Sequence, residues 1–440
     1  MGYIVGEARG QQTLFPVALD DLIPADHGCR VIDAFVKRLD FHALGFERAV
    51  AAETGRPGYD PRDLLMLYLY GYLQQVRSSR RLEAECRRNV EVMWLLGRLI
   101  PDHKSIAEFR RQHLEAVTEA GAELVRFARS VGLVRGEWVA IDGSKFQAVA
   151  NGRRVAERES VKRYLEAVEA GDQQEEAAID ATTVAAALEK LARDPEPEAG
   201  FMRTAHGTLP AYNVQTAVDA EHALIVAHAV TTEKNDKHCL LPMAEAAQRA
   251  VGDPPRLNVV ADGGYSSGAQ AEACEARGIV PHAPAQRGIN NKGDGTLFDR
   301  SAFHYDAPSD TLRCPAGQTL TRKQRDKHRV VYTAPATACG CCTLKSQCTP
   351  SSQRYVQLHL HQEALDRMHQ RTTPAVMSLR RSTAEHPFGT LKYRIFGNPR
   401  FLLRGVAGAA VEIGLGTMAY NLKRMINVLG GRNMAAALTA

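Results

Sequence analysis

Residues 139–146 read V-A-I-D-G-S-K-F. An apolar run stops abruptly at Asp142, and Gly143 and Ser144 follow as turn formers. The pattern predicts a buried strand that presents a carboxylate at its exit. A second stretch repeats the design. Residues 257–267 read L-N-V-V-A-D-G-G-Y-S-S, an apolar strand that ends on Asp262 and two glycines. A lone strand ending in Asp-Gly is ordinarily only a turn. Two such strands at one end of a sheet make a site for a divalent metal.

A third stretch adds weight to the pair. Residues 380–392 read R-R-S-T-A-E-H-P-F-G-T-L-K, and Arg381, Glu385 and Lys392 fall at i, i+4 and i+11. At helical spacing these three share one face. A salt-bridged surface helix would show the same ladder. Together, however, the three stretches resemble the acidic triad of the DDE transposases of bacterial insertion sequences. In that family the first Asp ends the first strand of an RNase H-like core and the second Asp ends the fourth. The Glu sits on a late helix, with Tyr, Arg, Glu and Lys at fixed spacing. Arg381, Glu385 and Lys392 match that signature, whereas Ser378 occupies the Tyr position. Pro387 predicts a kink or restart in this helix.

The resemblance implies a chemistry. Asp142 and Asp262 would be paired metal ligands, and Glu385 would complete the site. Phosphodiester cleavage at two metal ions needs no covalent enzyme intermediate. Three carboxylates and no thiols suit Mg²⁺, with Mn²⁺ able to substitute. Water attack would nick a transposon end, and the freed 3′-hydroxyl would join target DNA. Arg381 and Lys392 would contact the phosphate near the scissile bond. Tyr265 matches a tyrosine that the family places after its second Asp, but packing alone would also explain it. The implied partners are the terminal inverted repeats and target DNA, with a homodimer in the synaptic complex. Two other readings stand beside this one: an RNase H-like nuclease without strand transfer, and a DNA-binding protein with a decayed core. Three intact acids speak against decay.

The fold expected is α/β, an RNase H-like mixed sheet flanked by helices. An N-terminal all-α domain would span 1–134. The first part of the core would span 135–284, with a charged helical insertion at 151–195. A cysteine-rich insertion would occupy 285–355, and C-terminal core helices carrying Glu385 would occupy 356–440. Strands are expected at Tyr212–Asp219, Ala223–Thr231 and Ile279–Pro284. Within the insertion, Val155–Ala170 and Asp180–Ala192 read as two solvated helices joined at Gly171-Asp172. Val406–Leu415 and Met418–Leu429 read as two late packing helices.

The N-terminal part has clear helix signals. Asp60, Pro61 and Asp63 start one helix. Arg77–Arg88 is arginine-rich, and Glu91–Leu99 forms another helix around Trp94. Ser105 and Glu108 read as a capping box opening a long helix that stops at Gly132. Arg80, Arg81, Arg87 and Arg88 are candidate DNA contacts, although Glu83, Glu85 and Glu91 dilute the patch. S-S-R-R-L-E-A-E-C-R-R-N at 78–89 and P-D-H-K-S-I-A-E-F-R-R at 101–111 also resemble the family's N-terminal domain.

Composition bounds the rest. Lys plus Arg number 55 against 50 Asp plus Glu, so the net charge of +5 decides nothing and local clusters matter. A hydrophobic fraction of 45% supplies ample core for 440 residues, which suggest two or three domains. No apolar run is long enough to span a membrane. Met1–Gly10 has Glu7 and no apolar core, so no secretory signal is expected. The expectation is a cytoplasmic, nucleoid-associated protein with reduced thiols. Five of nine cysteines crowd together. Cys314, Cys339, Cys342 and Cys348 fit a structural zinc site in two arms. A bare reduced loop, or Cys341 replacing one ligand, fits as well.

Overall fold

The computed structural model describes residues 17–50, 57–169, 186, 189, 192–285, 297–326 and 329–440. Met1–Gly10, the Gly171-Asp172 joint and nearly all of the helix expected over Asp180–Ala192 lie outside them. At the centre is a mixed sheet. Strands β1 (Trp138–Gln147) and β4 (Ile225–Thr231) both pair antiparallel with β3 (Gly207–Asp219). β5 (Leu257–Val260) pairs parallel with β1, and β6 (Ile279–His282) pairs parallel with β5. The order β4-β3-β1-β5-β6 is RNase H-like, as the sequence predicts. A short strand, β2 (Gly200–Thr204), shares the far edge of β3 with β4. β2 was not expected from the sequence.

β1 does not stop at Asp142. Val139, Ala140 and Ile141 are buried, as befits a central strand. The strand then runs on through Gly143 to Gln147, paired with β3 all the way. Gly143 is therefore a strand residue rather than a turn. A Cβ there would lie 2.3 Å from Gln215 Nε2 and 2.8 Å from Asp236 Oδ1, so only glycine fits.

The N-terminal helices are α1 (Gly28–Arg38), α2 (Pro61–Leu73), α3 (Ser79–Arg88), α4 (Val90–Leu95), α5 (His103–Gln112) and α6 (Leu114–Ser130). Asp60 caps α2 through Arg62 N at 2.8 Å, as expected. Arg77 precedes α3 and is buried, so it does not belong to the surface patch. Asp102, not Ser105, caps α5, accepting from Lys104 N and Ser105 N at 3.0 and 3.1 Å. The expected long helix is split at His113. Its buried ring accepts from Glu47 N through Nε2 at 3.1 Å, leaving Nδ1–H for the Phe109 carbonyl at 2.7 Å.

Helix α7 (Gly152–Glu169) follows β1. Helices α8 (Leu240–Ala250) and α9 (Gly268–Glu275) flank β5 in sequence. The C-terminal part holds α10 (Gln362–Arg371), α11 (Pro374–Thr390), α12 (Gly405–Leu429) and α13 (Gly431–Thr439). The two late packing helices are thus one. Gly416 does not break α12; a Cβ there would lie 2.7 Å from the Phe396 ring, so it makes room for packing. α12 packs against α2, α6 and β4, and α13 against α1. One hydrophobic core consequently runs from Ile23 to Leu438 and includes both the N-terminal helices and the sheet.

α11 crosses the sheet on the other face, where Ala384 meets Ala140 and Val260. Small side chains on both sides bring the helix close to β1 and β5. Pro387 lies inside α11 without ending it. A π-helical turn, Leu391–Ile395, follows and carries Lys392.

The cysteine-rich region is more regular than its turn-rich sequence suggests. It forms a five-stranded antiparallel sheet: β7 (His304–Asp306), β8 (Thr311–Arg313), β9 (Thr319–Arg325), β10 (Arg329–Thr333) and β11 (Tyr355–His359). It has its own small core of Phe303, Leu312, Leu320, Tyr332, Val356 and Leu358. Among the described residues, no helix is long and apolar enough to cross a membrane.

Candidate active site

The sheet and α11 bring three distant acids together. Asp142 points from the middle of β1 toward α11, with its side chain 15% exposed. Its Oδ1 accepts from Gly143 N at 2.9 Å. Asp262 follows β5 and caps a short 3₁₀ turn, accepting from Gly264 N at 2.7 Å. Glu385 lies on α11 and is the most exposed of the three. What joins them is Arg380. Its Nη2 is 2.8 Å from Asp142 Oδ1 and 3.8 Å from Asp262 Oδ2, and its Nη1 is 3.2 Å from Glu385 Oε1.

Arg380 is a residue the sequence reading passed over. Arg381 shares the ideal face of Glu385, yet it is exposed and stands outside this ion-pair cluster. The buried stripe of α11 is Arg380, Thr383, Ala384, Pro387 and Phe388, spaced i, i+3, i+4, i+7 and i+8. Small residues downstream of Arg380 mark the face that meets the sheet, and that signal places Arg380 beneath the helix.

Burial raises the Asp142 carboxyl to about 6, and the Asp262 charge adds to the rise. Arg380 and the Gly143 N–H pull in the opposite direction. Burial also lowers the Lys392 ammonium, while the Asp142 charge partly restores it. Lys392 Nζ lies 5.5 Å from the centre of the Phe146 ring, beside the site.

Behind Asp142, on the face that Gly143 leaves bare, lies a second polar layer. Asp236 Oδ1 accepts from Asn213 Nδ2 and Gln215 Nε2, each at 2.7 Å, with Lys145 Nζ at 3.5 Å. The Tyr265 hydroxyl donates to Gln215 Oε1 at 2.5 Å. Burial and the surrounding carboxylates hold that phenol well above its usual range, so Tyr265 is a neutral structural donor. The sequence signal was available: Asn213 and Gln215 alternate with Tyr212, Val214 and other strand formers in β3, and both are buried. Buried amides at that period need partners.

The donor set suits a divalent ion: every donor is a carboxylate oxygen and all three side chains reach one cation, although their ligand atoms do not lie mutually within 4.8 Å. Buried atoms without partners, Thr216 Oγ1 and Arg380 Nε, lie at the same place; Thr216 is the cross-strand neighbour of Asp142.

The cysteine-rich sheet gathers Cys314, Cys339, Cys342 and Cys348 around one small cavity. Gln318 N donates to Cys314 Sγ at 3.3 Å across a turn in which Gly317 has φ +76°. Burial and the three other sulfurs raise the Cys348 thiol. Cys341 is exposed and turned away, donating to the Thr337 carbonyl at 3.3 Å. Among the described residues, one group of three potential ligand atoms lies mutually within 4.8 Å: His27, Cys29 and Glu91. Its geometry is a satisfied helix cap. His27 Nδ1 accepts from Cys29 N, so Nε2 carries the proton toward Glu91.

In the N-terminal helices Arg80, Arg81, Arg87 and Arg88 are all exposed on α3. Arg87 pairs with Glu83 at 3.2 Å and Arg88 with Glu85 at 2.5 Å. Their charge is partly balanced on their own helix.

No curated protein matches the chain. A cryo-EM structure of the piggyBac transposase synaptic complex with hairpin DNA covers 94% of this chain and 79% of its own. At 8% identity and a TM-score of 0.37, that likeness carries no argument. Residues 17–112 match a family described as Transposase domain (DUF772). Residues 171–422 match the family described as Transposase DDE domain; the match includes Asp262 and Glu385 and begins after Asp142. That match spans more than half of the chain, which therefore belongs to the DDE transposase family.

Proposed function

We propose that this transposase binds the ends of its element, cleaves DNA phosphodiester bonds and joins the 3′-hydroxyl ends to target DNA. One observation carries this reading: Asp142, Asp262 and Glu385, far apart in sequence, all reach a single guanidinium. Asp142, Asp262 and Glu385 would hold Mg²⁺ or Mn²⁺. Two such ions, when bound, supply an activated water and neutralise charge at the scissile phosphorus.

The chain's own groups do the rest. Asp142 must give up its proton to act as a ligand, and its raised carboxyl makes that step pH-dependent. Lys392, half-buried beside Asp142, would place a positive charge near the scissile phosphate. Arg381, exposed on the same helix, would reach the DNA backbone with a bidentate fork. Asn213 and Gln215 tie β3 to Asp236 and to Tyr265, in the turn that carries Asp262, which would steady the strand beside Asp142. Arg80, Arg81, Arg87 and Arg88 would contact phosphates at the transposon ends, in a synaptic homodimer. Cys314, Cys339, Cys342 and Cys348 would hold one structural zinc.

The test is incubation of the purified chain with its flanking DNA ends and Mg²⁺, mapping nicks and joined products. Asp142→Asn, Asp262→Asn and Glu385→Gln should each abolish nicking while mobility-shift binding of the ends persists. Full nicking by any of the three would remove that residue from the site. Nicks without joined products would favour the nuclease reading instead.

A further inference from the structure

Arg380 has a feature that a phosphate-binding arginine does not need: its charge is spent on the triad itself. It is 9% exposed, and its guanidinium contacts all three acids. A guanidinium presents a planar, delocalised positive charge that can face several carboxylates at once. Three carboxylates facing one another without a counter-charge would repel, and the partly buried site would screen that repulsion poorly.

We propose that Arg380 is the resident counter-cation of the triad, which keeps the three carboxylates assembled before metal arrives and must leave them when metal binds. The inference rests on the reading of Asp142, Asp262 and Glu385 as the metal ligands. Asp142 Oδ1 already accepts from both Gly143 N and Arg380 Nη2. A divalent ion drawn to the same carboxylates meets the positive guanidinium at close range, so the two compete. Arg380 Nε has no partner where it stands. The guanidinium therefore leaves its position without breaking a second, independent anchor. Glu385 is the exposed side of the cluster, with 58% of its side chain accessible, and gives the guanidinium a way out along α11. There a DNA phosphate offers the bidentate partner that the carboxylates no longer supply. The exchange would link two events: a chain that holds a phosphate through Arg380 has already freed its triad. By linkage, DNA and metal would each favour the other's binding.

The experiment is a direct Mn²⁺ titration of the full chain, read by electron paramagnetic resonance, without DNA and without turnover. It is run at pH 8.5, above the range in which the Asp142 carboxyl takes up a proton. Wild type, Arg380→Gln, Arg380→Lys and Asp142→Asn are compared, with circular dichroism as a fold control. Arg380→Gln should bind Mn²⁺ about tenfold more tightly than wild type, the effect of losing about 1.4 kcal/mol of competition. Arg380→Lys should bind severalfold more tightly, because a point charge cannot span three carboxylates as a planar fork does. It decides the question if Arg380→Gln fails to fold. Asp142→Asn should lose the site. Equal or weaker binding by the Arg380 variants, with Asp142→Asn still defective, would overturn the counter-cation role and leave the triad standing. Wild-type binding by Asp142→Asn would overturn the triad, and the proposal with it.

Discussion

Replacing Arg77 by Met should destabilise the whole chain without touching the triad. Arg77 Nη1 pairs with Glu412 Oε2 at 3.0 Å, with side chains 8% and 0% exposed. Glu412 also accepts from Leu402 N and Leu403 N at 2.7 Å each, and Arg110 stands 4.0 Å away. Met keeps an apolar stem of similar length but loses the guanidinium that lies 4.4 Å over the centre of the Phe396 ring, and it leaves Glu412 without its main counter-charge. Breaking a buried pair in this way costs about 3–5 kcal/mol. Arg110 and the two backbone donors remain, so about 3 kcal/mol is expected, which lowers the melting temperature by roughly 5 °C. Glu412→Gln preserves an acceptor for Leu402 and Leu403. The double variant should accordingly recover at least about 1 kcal/mol relative to the sum of the two single changes. The assay is urea unfolding followed by fluorescence and circular dichroism, with coincident transitions required. A loss below about 1 kcal/mol in Arg77→Met, or strict additivity in the double variant, would refute the claim that this pair ties α12 to the N-terminal helices.

Three further outcomes are expected. The Asp142 carboxyl is raised to about 6, so the folded chain holds a proton there that the unfolded chain has lost. Its ionisation thus subtracts stability as pH rises from about 4 to about 6, and Mn²⁺ affinity should fall as pH drops below about 6; a flat affinity from pH 5 to 8 would contradict this. The purified chain should carry about one zinc, lost in Cys314→Ser and kept in Cys341→Ser; metal analysis that finds no zinc in folded, active protein decides against the site. Removing Arg80 and Arg81 should weaken end binding and flatten its salt dependence; an unchanged salt slope would make α3 an ordinary solvated helix.

The legible parts of this chain were those written as local contrast. β1 and β5 stood out because apolar runs end on Asp142 and near Asp262. The longest strand of the cysteine-rich sheet did not, because it barely alternates: in Thr319–Arg325 only Leu320 is buried. Gly143 read as a turn former and a helix break placed between Leu415 and Met418, across Gly416, err in the same direction. Glycine suggests a turn or a stop by default, and in both places it makes room for a neighbour, Gln215 in one case and Phe396 in the other. Tertiary contact decided those positions, and local propensity could not see it. Asn213 and Gln215 lay between these extremes, since two amides alternating with strand formers are a signal once burial is assumed.

The acids and the cation of the site differ in the same way. Asp142 and Asp262 are placed by backbone, one within a central strand and one capping a turn at a strand's end. Such placements survive changes in the side chains around them and can be read from a single stretch. Arg380 is placed by packing. It reaches the acids because Ala384 lies against Ala140 and Val260, which lets α11 approach the sheet closely. A larger residue at 384 would lift the helix and with it both Arg380 and Glu385, while Asp142 and Asp262 stayed where the strands hold them. The triad is therefore two fixed carboxylates and one carried on a helix whose height is set by three small side chains. Arg380 bridges the fixed and movable halves, which is where a counter-cation must stand if the metal-free site is to keep its shape.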